Sequence, residues 1–74
     1  MYEVDTIEIK KRMVEKGYDT IDSLSDASGV NRNTLSDVIN GRTFPSSMVM
    51  IRIGGALEMD SGDMGSIFFK TRLA

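Results

Sequence analysis

The segment LSDASGVNRNTLSDVING, at residues 24–41, constrains this chain most, because it predicts two short helices joined by a tight turn. Gly29 stands at the turn, where the absence of a Cβ atom permits a positive φ without steric cost. After the turn, Leu35 and Val38 recur at helical spacing and predict a helix with one apolar face. Ser25, a small residue one turn before Gly29, allows the helices to cross closely. We therefore expect a two-helix unit against which the remaining chain packs.

The size and composition of the chain limit it to one small domain, spanning residues 1–74. A core of this size supplies only about 3–5 kcal/mol of net stability. The sequence contains no cysteine and no histidine, so we expect no disulfide, no thiol chemistry, no metal site and no cofactor. No serine has an evident activating base, and no glycine-rich phosphate loop is present, so we do not expect an enzyme.

Charge and hydropathy bear on the partners and on the location of the protein. The net charge is −2, whereas proteins that bind nucleic acid unaided usually carry a basic excess. No segment approaches the about 18 apolar residues of a membrane span. The N-terminal segment also lacks the apolar core of a signal peptide. We expect a cytoplasmic protein with neither a membrane partner nor a small-molecule substrate.

Apolar periodicity and capping residues predict an all-α, compact five-helix bundle. The predicted helices cover about residues 7–16, 20–28 and 32–39, a fourth segment capped by Ser46 or Ser47, and about residues 61–70. Asn31 is the predicted cap of the third helix, and Asp60 with Asp63 has the spacing of a capping box. Residues 1–4 are expected to be frayed or extended, and residues 71–74 to form a tail.

Two helices raise specific questions about packing. In the first helix, four apolar residues share one arc of the helix and are expected to face the core: Ile7, Ile9, Met13 and Val14. In the fourth helix, Gly54 lowers the helix propensity, so we expect a close approach of another helix at this position.

The third predicted helix is a candidate DNA-reading element. Arginine side chains can pair with guanine and asparagine side chains with adenine in the major groove. In the alternative interpretation, Asn31 only caps the helix and the other polar side chains are solvated. The candidate DNA-binding residues are Asn31, Arg32, Asn33, Thr34, Asn40 and Arg42.

Acidic and apolar residues are candidates for binding a protein partner. Asp19, Asp22 and Asp26 are three and four residues apart and are expected to share one helix face. Such a face suits the basic DNA-binding surface of another protein, although on the sequence alone a capping residue and a solvated face are the simpler explanation. Ile67, Phe68 and Phe69 are consecutive, so one helix face cannot bury all three. The candidate partner-binding residues are Asp19, Asp22, Asp26, Asp37, Met48, Phe68 and Phe69.

Three segments occur in an order that is typical of one group of regulators: LSDASGVNRNTLSDVINGR, then Pro45-Ser46, then IGGALEM. Over about residues 7–63, the chain resembles the small helix-turn-helix domains of phage repressors and Cro-like regulators. Within this group it is similar to the modulator-of-repression proteins, or antirepressors, of temperate lactococcal phages. That resemblance implies a role in a lysis–lysogeny switch of the infected host, through binding the N-terminal domain of a phage repressor, alone or together with operator DNA. The alternative is a Cro-type homodimeric repressor that binds its operator.

Two positions depart from the family pattern. Members often carry glutamine where this chain has Ile21, and the glutamine amide helps to hold the helix on a phosphate. They also often carry alanine where this chain has Ser25. Because the Ile21 side chain cannot hydrogen-bond a phosphate, the departure argues against ordinary operator docking.

Overall fold

The computed structural model describes residues 1–72. Over this range the chain is mostly helical, in agreement with the predicted class, and it also contains one small sheet. In chain order the elements are β1 (Tyr2–Glu3), α1 (Thr6–Glu15), α2 (Ile21–Ser28), α3 (Arg32–Ile39), α4 (Ser47–Ala56), α5 (Ser61–Phe68) and β2 (Lys70–Thr71). No helix in residues 1–72 combines the length and the apolar character needed to cross a bilayer.

Each helix begins where a short polar side chain accepts a hydrogen bond from the backbone of its first turn. These interactions satisfy N–H groups that have no partner within the helix, and each typically contributes about 1 kcal/mol. The caps of Asn31 and Ser46 confirm the sequence predictions, and so does the reciprocal capping box formed by Asp60 and Asp63. The complete set of caps is Asp5, Thr20, Asn31, Ser46 and Asp60.

The small sheet joins the two ends of the described chain. β1 and β2 are antiparallel, with Tyr2 opposite Thr71 and Glu3 opposite Lys70. The backbone N–H of Arg72 also donates to the carbonyl of Met1 at 2.9 Å. Of the two alternatives predicted for residues 1–4, the extended one is therefore correct, whereas the predicted tail was wrong at residues 71–72. Residues 73–74 of that tail lie outside the described residues. α5 ends at Phe68, because the chain then turns into β2.

The core consists of apolar side chains from all five helices and from the α2–α3 turn. α1 packs on α3 and α5, and these contacts bury Ile9 and Met13 but leave the adjacent side of α1 in solvent. Ile7 and Val14 are consequently 77% and 68% exposed, so the prediction that they face the core was wrong. The buried apolar residues are Ile9, Met13, Leu24, Val30, Leu35, Val38, Ile39, Ile53, Leu57, Ile67 and Phe68.

Two contacts hold α5 against the helices beside it. A Cβ atom at Gly54 of α4 would overlap the thioether of Met64 in α5, which confirms the predicted close approach. On another side, Arg12 of α1 donates two hydrogen bonds to the two carboxylate oxygens of Asp63, both at 3.0 Å. Those hydrogen bonds, followed by the one from the Asp60 backbone N–H, lower the pKa of Asp63. The hydrogen bonds to Asp63 also raise the pKa of Arg12.

Candidate interaction surface

The turn between α2 and α3 is held by side chains from both sides. Ser25 Oγ donates to the carbonyl of Val30 at 2.6 Å, and Ser28 Oγ accepts from the backbone N–H of Val30 at 3.2 Å. Gly29 has a φ of 74°, as expected for a glycine that ends a helix. Arg52 of α4 donates to the Gly29 carbonyl at 3.1 Å. This role of Arg52 was missed from the sequence, because a contact across 23 residues has no local signal.

The first turn of α3 divides its polar residues into two groups. Asn31 Oδ1 accepts hydrogen bonds from the backbone N–H groups of Asn33, at 2.9 Å, and Thr34, at 3.4 Å. The amide oxygen of Asn31 is thus used by the helix itself. The side chains of Asn33 and Thr34 are exposed and make no side-chain hydrogen bond within residues 1–72. They are the polar groups of this turn that remain available to an outside molecule.

Arg32, the first residue of α3, forms an ion pair with Asp22 in the first turn of α2. Both side chains are well exposed, at 64% and 69%. The pair connects the beginnings of the two helices across their solvent-facing side. The Arg32 guanidinium is therefore partly neutralised at the position where it would meet a base or a phosphate.

Polar side chains at the C-terminal end of α3 also form hydrogen bonds with residues of that helix. Arg42 Nε donates to Asp37 Oδ1 at 2.9 Å, and Arg42 Nη2 donates to Ser36 Oγ at 3.1 Å. Asn40 Nδ2 donates to the carbonyl of Ser36 at 2.9 Å. A bidentate contact to adenine needs both the oxygen and the nitrogen of an amide. The Asn40 amide nitrogen is therefore already engaged within α3, whereas its Oδ1 is not.

The predicted row of three aspartates is divided by the start of α2. Because Thr20 caps that helix, Asp19 lies in the preceding loop, and only Asp22 and Asp26 share the helix face. The prediction of one face for all three was wrong at Asp19. Within residues 1–72, neither Asp19 nor Asp26 has a cation within 4.0 Å, and both side chains are exposed.

The apolar partner candidates differ in exposure. Met48, near the start of α4, is 57% exposed, and Phe69 is 44% exposed. Phe68 is fully buried, so its assignment to a partner surface was wrong. The inner face of α5 buries Ile67 and Phe68 together, and the turn after the helix directs Phe69 outward.

Phe69 belongs to an exposed aromatic cluster, which consists of Tyr2, Phe44 and Phe69. The rings of Tyr2 and Phe69 meet edge to face, with centroids 5.8 Å apart, and Phe44 lies 5.8 Å from Phe69 on a tilted ring plane. Tyr2, Phe44 and Arg42 also line one cavity of about 280 Å³. The aromatic cluster therefore borders the loop that follows α3. Its three members come from distant parts of the sequence, so sequence reasoning did not assemble them.

Comparisons of the chain with protein-family models, with curated proteins and with solved structures gave no match. The charged candidate residues on α2, on α3 and in their flanking loops are four aspartates and two arginines, so the charge of this group is negative. Both arginines are paired with carboxylates of the same surface. No group of three or more metal-ligating side chains is present in residues 1–72.

Proposed function

We propose that this protein is a cytoplasmic regulator of a phage genetic switch, acting as an antirepressor of the modulator-of-repression type. It binds the N-terminal DNA-binding domain of its cognate phage repressor and thereby modulates operator occupancy. α2 and α3 are interpreted as a helix-turn-helix whose outer side faces mainly a protein. The resemblance in sequence supplies the role, and the charges of the surface support the choice between protein and DNA.

The observation that carries this choice is the internal pairing of both arginines. An exposed ion pair is worth only about 0.2–1 kcal/mol, so DNA could detach Arg32 or Arg42 at little cost. The carboxylates of Asp22 and Asp37 would then remain unpaired beside the phosphates. Because phosphate contacts supply much of the affinity for DNA, the repulsion opposes operator binding by this chain alone.

The same carboxylates suit the basic surface with which a repressor binds its operator. Asp19 and Asp26 are exposed without an internal ion pair, and Asp22 can exchange Arg32 for a cation of the partner. Met48 and Phe69 add exposed apolar area of the kind that anchors protein interfaces. This combination of acidic and apolar groups favours a protein partner.

A mobility-shift titration with operator DNA tests the proposal, with and without the N-terminal domain of the cognate repressor. We expect little operator binding by the protein alone, a stable complex with the repressor domain, and altered operator occupancy in the mixture. Tight, specific operator binding by the protein alone would contradict the proposal.

The Cro-type alternative is favoured by Asn33 and Thr34, whose side chains are free at the first turn of α3.

Asp22→Asn distinguishes the two functions by the sign of its effect, because it releases Arg32 and removes one negative charge. An antirepressor should bind the repressor domain several-fold more weakly, whereas a Cro-type repressor should bind its operator more tightly. Glu15→Gln, an equal change of charge on α1, is the control and should alter neither affinity.

A further inference from the structure

A groove lies on the surface where α1, the start of α2 and the end of α3 meet. It has a volume of about 220 Å³ and is predominantly apolar. Its lining includes Met13, Tyr18, Ile21 and Ile39, which also pack on or belong to the core. The groove is large enough to receive a single aliphatic side chain, and its position is distinct from the aromatic cluster.

Val14 provides an aliphatic side chain at the same place. It lines the groove from α1 and is 68% exposed. Nothing in residues 1–72 covers it, although burying a valine side chain is worth about 1.5–3 kcal/mol. The surface therefore carries both an apolar groove and an apolar group that a second molecule can bury.

The groove is flanked by two unpaired charges of opposite sign. Lys10 comes from α1 and Asp19 from the loop that precedes α2, and both side chains are exposed. Within residues 1–72 neither has an ion-pair partner within 4.0 Å, whereas the neighbouring Lys16 and Asp22 are each paired. The groove thus presents one free cation and one free anion among the described residues.

We propose that this groove is the interface of a homodimer. A two-fold axis between Lys10 and Asp19 brings Lys10 of each copy to the partner's Asp19, so one symmetry operation forms two ion pairs. Val14 of each copy is then buried against the groove of the other. A second copy of the chain is the occupant that the charges indicate, because the surface is complementary to itself in sign and in apolar character.

The interface is small. A stable interface usually buries about 800 Å² on each partner, and a single groove supplies less. The dimer therefore forms only at high protein concentration. Self-association can be measured without repressor or operator, so the inference does not depend on the proposed function.

Charge reversal tests the interface by sedimentation equilibrium of the full chain up to millimolar concentration. Lys10→Glu and Asp19→Lys should each raise the dimer dissociation constant at least tenfold. The double variant restores both ion pairs with their signs exchanged, and its dissociation constant should return to within a few-fold of the original. Lys11→Glu is the matched control, because it lies about 100° further around α1. It should leave the dissociation constant unchanged.

Three outcomes would overturn the inference. The first is a chain that stays monomeric throughout the concentration range. The second is an equal effect of Lys10→Glu and Lys11→Glu, which would indicate general repulsion of charge. The third is a double variant that dissociates as readily as the single variants. Circular dichroism of each variant establishes that the helices are retained.

Discussion

The carboxylate of Asp63 has two tasks that act on different helices. Asp63 Oδ2 accepts a hydrogen bond from the backbone N–H of Asp60 at 3.2 Å, at the start of α5. The two carboxylate oxygens also accept hydrogen bonds from the guanidinium of Arg12 in α1. Glu8 makes a longer contact with the same guanidinium, at 3.4 Å. One side chain therefore fixes both where α5 begins and how α1 lies against it.

The lowered pKa of Asp63 gives this contact a pH signature. Because the pKa in the folded state lies below the ordinary value of 3.8, the contribution to stability is present above that value. It is lost as the pH falls through the folded-state pKa. Asp63→Asn keeps an acceptor for the cap but removes the charge, so we expect it to lower the free energy of unfolding at neutral pH. Urea denaturation across the acidic range should show the difference from the natural chain shrinking below about pH 4.

Asp26→Asn is the control for this experiment, since Asp26 has no ion-pair partner within residues 1–72. It should change the stability little at any pH. A constant difference between Asp63→Asn and the natural chain down to the acid transition would show that the charge of Asp63 is not the cause.

At the scale of elements, the helix starts were predictable because a cap and the N–H groups it accepts are within three residues of each other. Asn31 and Asp60 are examples, and both begin their helices as predicted. β1 and β2 were missed because two-residue strands have no periodicity and pair across nearly the whole chain. The exposure of Val14 was missed because periodicity defines an apolar arc but not how much of it another helix covers.

The two adjacent glycines of α4 provide a matched pair of substitutions. Alanine at either position gains helix propensity, up to about 1 kcal/mol. At Gly55 a Cβ atom meets nothing within 4 Å, whereas at Gly54 it displaces the thioether of Met64. We expect Gly55→Ala to raise the melting temperature. Gly54→Ala should be less stable than Gly55→Ala by about 1–3 kcal/mol. Equal stability of the two variants would mean that Met64 moves aside without cost.

At the scale of the whole molecule, the sequence identified most of the polar residues of the candidate surface but not their pairings. Arg32 and Arg42 were recognised as cations, yet their usefulness to DNA depends on Asp22 and Asp37, which only the folded arrangement brings to them. The same limit applies to Phe68, since consecutive aromatic residues do not reveal which one faces inward. Chemical type was predictable here, and pairing and orientation were not.

The aromatic cluster allows the pairing of β1 with β2 to be tested. Tyr2→Ala removes the edge-to-face contact with Phe69, which is worth about 0.5–1.5 kcal/mol. We expect a correspondingly lower free energy of unfolding and faster amide exchange in β2. Tyr2→Phe keeps the ring and should match the natural chain in both measurements. A loss of stability in Tyr2→Phe equal to that in Tyr2→Ala would assign the effect to the hydroxyl group.

The hydrogen bond between Arg72 and Met1 also has a consequence for the order of the elements. Because residues 1 and 72 are neighbours in space, a short peptide would join them without disturbing the five helices. New ends could then be opened in the exposed loop at residues 41–44, which lies between α3 and α4. A circularly permuted gene that starts at α4 should therefore encode the same fold.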